Sequence, residues 1–155
     1  MNIKNSLAGL LIVATLVLNS TAFAGADTST DANGVTLAGH DAVSYFTANT
    51  PVEGSANFTA VHNKAIYYFS SADNRDTFNA NPTKYAPEFG GFCAYGVALG
   101  KKFDVNGKAF EIVDDKLYVN KNEDVYETWV EDKAETIATA NKEWPAIKDV
   151  AASDL

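Results

Sequence analysis

Apolar and polar residues follow three distinct patterns along this chain. From Leu7 to Leu18 the apolar run is unbroken. Around Phe58 to Phe69 the pattern has the period of a strand: Phe58, Ala60 and His62 alternate with Thr59 and Val61, and Ala65 to Phe69 is aromatic and β-branched. With Asn63-Lys64 as the turn, this predicts a hairpin. Ser70 or Ser71 then caps a helix running to Asn79, with Asp73 in its first turn and Pro82 as its stop. Periodicity alone leaves Phe92 to Val97 open between helix and strand. Phe110 to Val113 and Leu117 to Val119 flank Asp114-Asp115-Lys116 as a second hairpin. Asn122 caps a long helix with Glu123 and Asp124 in its first turn, which should end before Pro145. Val125, Trp129, Ala134, Ile137 and Ala138 fall at helical spacing on its inner face. Hairpins mixed with helices, outside any βαβ alternation, predict an α+β fold. The expected arrangement is a small antiparallel sheet built from hairpins, packed with a short helix and a long C-terminal helix. Phe69, Phe78 and Trp129 are expected to share one core.

The unbroken run changes the domain picture. Lys4 precedes it and Ala22-Phe23-Ala24 follows as a small-residue cleavage site, so residues 1–24 read as a signal peptide that is removed. The run is short for a membrane span. Residues 25–34 are small and polar and read as a disordered leader. A single domain should occupy 35–147, with a frayed tail at 148–155. Removing 24 of 155 residues leaves 131, enough for one core. The expected location is outside the cytoplasm, in the periplasm. The formal charge is −8, and −9 without Lys4. Such a domain repels phosphate backbones and anionic lipid surfaces, which argues against nucleic-acid partners and against membrane association after the signal is removed.

Candidate chemistry is sparse. A single cysteine, Cys93, forbids an internal disulfide. It follows the turn-forming pair Gly90-Gly91, where the backbone can bend sharply. Two readings of it stand side by side. In one, Cys93 is a small buried hydrophobe. In the other it is a partly accessible thiolate, activated by the amides of a helix starting there and titrating below its usual value of about 8.5. The soft-ligand inventory without the leader is His40, His62 and Cys93, a set suited to three-coordinate copper or an open zinc site. His40 is the more site-like histidine, because Asp41 beside it can orient or charge the ring. His62, next to a turn, also reads as a solvated residue. Asp41, Tyr45, Tyr85 and Tyr95 are the candidate lining of a small pocket around Cys93. No C-x-x-C, Gly-x-Ser-x-Gly elbow or phosphate-binding glycine loop is present, so an enzyme is the less favoured reading.

One stretch supports a family resemblance. Tyr67-Tyr68-Phe69-Ser70-Ser71, then Phe78, Asn81-Pro82 and Tyr85, resembles the YHS domain. Further blocks extend it across nearly the whole mature chain: Gly39-His40-Asp41-Ala42-Val43-Ser44-Tyr45-Phe46, Gly90-Gly91-Phe92-Cys93-Ala94, Lys116-Leu117-Tyr118-Val119-Asn120 and Trp144-Pro145. These are similar to the exported bacterial branch known as YHS domain-containing (seleno)proteins. The resemblance implies a small α+β domain with a metal-binding role, copper being the usual suggestion, and no settled activity. It also implies two cysteines near the helix start in metal-handling members, and this chain has Ser70 and Asn74 there. Hydroxyl and amide oxygens are poor ligands for soft ions, so that site is not expected to hold metal. Three functions are carried forward: an exported YHS-like domain binding a metal ion or small ligand around Cys93, a thiol-redox enzyme or sensor using Cys93 alone, and a structural or interaction module with Cys93 buried.

Overall fold

The computed structural model describes residues 27–155; the expected signal peptide and the first two residues after it lie outside that range. The order of elements is α1 (Ser44–Thr47), β1 (Ser55–His62), β2 (Ala65–Phe69), α2 (Ala72–Ala80), α3 (Pro82–Tyr85), α4 (Ala94–Ala98), β3 (Phe110–Val113), β4 (Lys116–Val119), α5 (Glu123–Glu131) and α6 (Lys133–Ile147). The fold is α+β, as its pattern predicts. Two antiparallel hairpins form, each closed by two residues in the left-handed region: Asn63 and Lys64 in the first, Asp114 and Asp115 in the second. Turns of that hand match the right-handed twist of the strands they join. The hairpins do not merge into one sheet; β1–β2 and β3–β4 are separate two-stranded units. A parallel bridge from Val35 to Ile66 places β2 between the incoming chain and β1.

Each hairpin has its own apolar layer. Around β2, the buried residues include Tyr45, Tyr67, Phe69, Phe78, Tyr85 and Leu117. Phe78 reaches in from α2, its ring 4.6 Å from Tyr67 and 5.1 Å from Phe69. Trp129 belongs instead to a second cluster with Phe89, Phe92, Val97 and Tyr118. The expectation that Trp129 shares a core with Phe69 and Phe78 is therefore corrected. Strand β4 joins the layers, because Leu117 and Tyr118 point to opposite faces.

Several boundaries differ from the pattern. Asn81 ends α2 and its side chain accepts from the Lys84 amide, so Pro82 opens α3 at its first position rather than only stopping α2. The long helix is two helices broken at Asp132, whose backbone leaves the helical region (φ −141°, ψ 50°). Pro145 lies inside α6, near enough to its end at Ile147 that the lost amide bond does not stop it. The segment left open is helical, as α4. The leader and tail are also corrected. Thr28 and Ser29 are buried, with the Ser29 amide on the Gly90 carbonyl at 2.9 Å and its hydroxyl on Asp104 at 2.9 Å. At the other end, Leu155 packs against the second cluster.

Candidate functional site

Asp41 is the centre of the densest polar constellation in the described chain. Its side chain is fully buried. Oδ1 accepts from the amides of Val43 at 2.9 Å and Ser44 at 3.4 Å. Oδ2 accepts from the Ser70 amide at 2.9 Å, the Ser70 hydroxyl at 2.6 Å and Asn74 Nδ2 at 2.7 Å. Ser71, not Ser70, caps α2, accepting from the Asn74 amide at 3.1 Å. Ser70 is thereby free to turn toward Asp41. Ser70 and Asn74 thus serve here to hold an internal carboxylate. Asp41 is occupied by these donors, and His40 is not among them.

The ring of His40 points elsewhere. It is buried, and Nδ1 lies 3.0 Å from the Leu37 carbonyl. Leu37 and Ala38 both have positive φ, which aims that carbonyl at the ring. Gly107 closes over the pair; any side chain there would collide with His40 Nδ1 and with the Leu37 oxygen. The Gly107 carbonyl also accepts from the Tyr45 hydroxyl at 2.6 Å.

Cys93 is the N-cap residue of α4 and is 1% exposed. Its sulfur accepts from the Gly96 amide at 3.4 Å and donates to Asn120 Oδ1 at 3.6 Å. Asn120 Oδ1 also accepts the Tyr95 amide at 3.2 Å, and Asn120 Nδ2 is buried without an acceptor among the described residues. The helix start on which the thiolate reading depended is present and delivers an amide to the sulfur. Burial nevertheless pushes the Cys93 thiol up, and the amides of Gly96, Lys121 and Tyr95 and the Lys121 charge offset this only in part. The expected accessible, acidic thiol is corrected to a buried, neutral one.

The three soft ligands do not converge. Cys93 is engaged by Gly96 and Asn120, His40 by Leu37, and the His62 ring packs edge-on against Phe78 at 6.0 Å. Among the described residues no three of His, Cys, Asp and Glu are grouped to hold a metal ion. The expected tyrosine pocket is not assembled either. Tyr45 and Tyr85 pack in the first cluster, and Tyr95 packs against the second.

Residues the sequence did not single out matter more. Lys102 is 5% exposed, its ammonium donating to the carbonyls of Lys148 and Val150 at 2.7 Å each. It also lies 5.1 Å from the Phe92 ring centre and 5.5 Å from that of Trp144. Burial lowers its pKa, while Asp27 and Asp149 pull it back up. This cation ties the end of α6 to the second cluster. The only sequence signal for it was a lysine beside Phe103.

Two surface clefts stand out, and neither is lined by Cys93, His40 or Asp41. One, of about 130 Å³, lies between Thr30, Leu37 and Asp104. The other, of about 190 Å³, is bounded by Asp27, Asn63, Tyr67, Pro87, Trp144 and Lys148. No helix among the described residues is long and apolar enough to cross a membrane. No family model, curated protein or solved structure matches the chain.

Proposed function

We propose that this chain is a non-enzymatic binding module of the YHS-like kind, in which Cys93 is structural. The observation that carries this reading is the Cys93 sulfur, 1% exposed and already engaged by Gly96 and Asn120. A thiol-redox enzyme needs a thiolate that an outside disulfide can reach. Burial that raises the thiol's pKa works against both requirements. A copper or zinc centre at Cys93 needs His40 or His62 beside it, and both rings are committed to other neighbours. The expectation placed a small ligand around Cys93; the ligand proposed here is placed away from the thiol. The apolar leader run and its A-x-A site support export, and the acidic composition supports a partner other than nucleic acid.

Thiol labelling tests this directly. The folded chain should resist alkylation at neutral pH and label fully once unfolded by guanidinium, and added copper or zinc should not change the rate. Fast labelling of the folded protein returns the redox reading. Labelling that metal suppresses returns the metal centre.

A further inference from the structure

The larger cleft has the features of a built site. Tyr67 occupies an inward position of β2, is 3% exposed as a residue and lines the cleft, and its phenol oxygen is not among the buried polar atoms without a partner, so it faces the cleft rather than sealed core. Burial raises its pKa, so the phenol stays a neutral donor. A phenol at the wall of a cleft is an available contact for a ligand. Trp144 forms an apolar wall, held in place by Phe89 at 5.9 Å and by the Lys102 ammonium over its ring. Pro87 is a second rigid wall.

The rim carries opposite charges. Asp27 meets Lys64 at a distance of 4.0 Å, and Lys148 meets Asp149 at 4.0 Å. Loose, solvated pairs of this kind contribute little and are readily exchanged for a ligand's charges. The backbone of Asp27 packs against Gly90: its carbonyl lies where any side chain at Gly90, with φ +61°, would collide with it. A volume of about 190 Å³ is below the roughly 300–1,000 Å³ of drug-sized sites and suits a molecule of metabolite size.

We infer that this cleft binds a small zwitterion bearing an apolar group, the chemistry of a free α-amino acid. The ligand's carboxylate meets Lys148, its ammonium meets Asp27, and its apolar group lies against Trp144 and Pro87 within reach of the Tyr67 phenol. This rests on reading the chain as a binding module and supplies that module's ligand class.

Calorimetric titration of the purified full-length chain tests it, with leucine and phenylalanine as probes. Phenethylamine and 3-phenylpropionate serve as analogues that each lack one charge. Phenylalanine should bind one molecule per chain, and each analogue should bind about tenfold more weakly. Tyr67→Phe, which removes a single oxygen, should weaken phenylalanine about fivefold. Lys148→Gln should weaken phenylalanine and 3-phenylpropionate but leave phenethylamine unchanged. No heat from either amino acid at millimolar concentration overturns the inference. So does binding that both variants retain in full, since that places it elsewhere. Failure of the binding-module reading shows separately, as alkylation of Cys93 in the folded chain.

Discussion

Replacing Asp41 with Asn keeps the side chain's shape and removes its charge, so it isolates what the buried carboxylate does. Five contacts converge on the two oxygens, two at Oδ1 and three at Oδ2. The new amide must place its NH2 group toward one set of donors. The cheaper choice faces Val43 and Ser44, because the Ser44 contact is already long at 3.4 Å. Even so, the Val43 amide is left buried opposite another donor, a cost of about 1–3 kcal/mol. The three bonds at the remaining oxygen lose their charge assistance, about 1 kcal/mol each. Relief from burying an anion without a paired cation offsets part of this. The net expectation is a loss of about 2–4 kcal/mol. Guanidinium unfolding followed by tryptophan fluorescence reads it as a lower midpoint at unchanged slope. A double-mutant cycle sharpens the test. If Ser70 and Asn74 stabilise through Asp41, changing both to Ala should cost far less in the Asp41→Asn background than in wild type. A loss under about 1 kcal/mol, or full additivity in the cycle, would refute the reasoning.

Phe78→Ala should cost about 3–5 kcal/mol in the same assay, since the ring fills the space between Tyr67, Phe69 and His62; a value near zero would remove α2 from the core. Stability should fall as pH rises above about 8.5, because Cys93, Tyr45 and Tyr67 have raised pKa values and keep protons in the folded state that the unfolded chain releases. Their contribution is complete below the unfolded values and is lost through the alkaline range, so a melting temperature unchanged from neutral pH to about 10 would contradict it. Lys102→Met should release the end of α6, lowering hydrogen-exchange protection for residues 148–155 while β1 and β2 keep theirs; unchanged protection there would show that the two 2.7 Å contacts are dispensable.

Much of the fold was legible because it is written in local chemistry. Both hairpins, the start of α2 and the start of α5 follow from alternation, turn residues and caps, which act over a few positions. The break at Asp132 was not legible, since helical spacing continues across it and only the backbone there departs. Nor was the division into two cores. Trp129 and Phe78 look equally buried in sequence, and what separates them is that Leu117 and Tyr118 of β4 face opposite ways. The ordering of residues 27–34 depends on partners far along the chain, such as Gly90 and Asp104, that no local pattern announces. The same holds for the site. Residue types identified His40, Asp41 and Cys93 as chemically able, and all three are buried, but their orientation depends on the partners the fold brings to them. Leu37 takes the histidine, Ser70 and Asn74 the aspartate, and Asn120 the thiol.

The corner between β2 and α2 shows how two side chains set what a helix start can hold. Residues 70 and 74 are four apart at the start of a helix, a spacing that places side chains next to each other on one face. The resemblance to YHS domains implies thiols at these positions in metal-handling members, and two thiolates side by side favour a soft cation between them. A hydroxyl and a carboxamide at the same spacing present hydrogen-bond donors instead, and two donors favour an anion. The chain supplies one itself in Asp41, whose Oδ2 lies 2.6 Å from the Ser70 hydroxyl and 2.7 Å from Asn74 Nδ2. The corner in this chain therefore favours an internal carboxylate over an external cation. With its donors already satisfied and Asp41 fully buried, the corner holds α2 and the segment before α1 together. The proposed recognition is placed instead at the cleft beside Trp144, where the Tyr67 phenol lies.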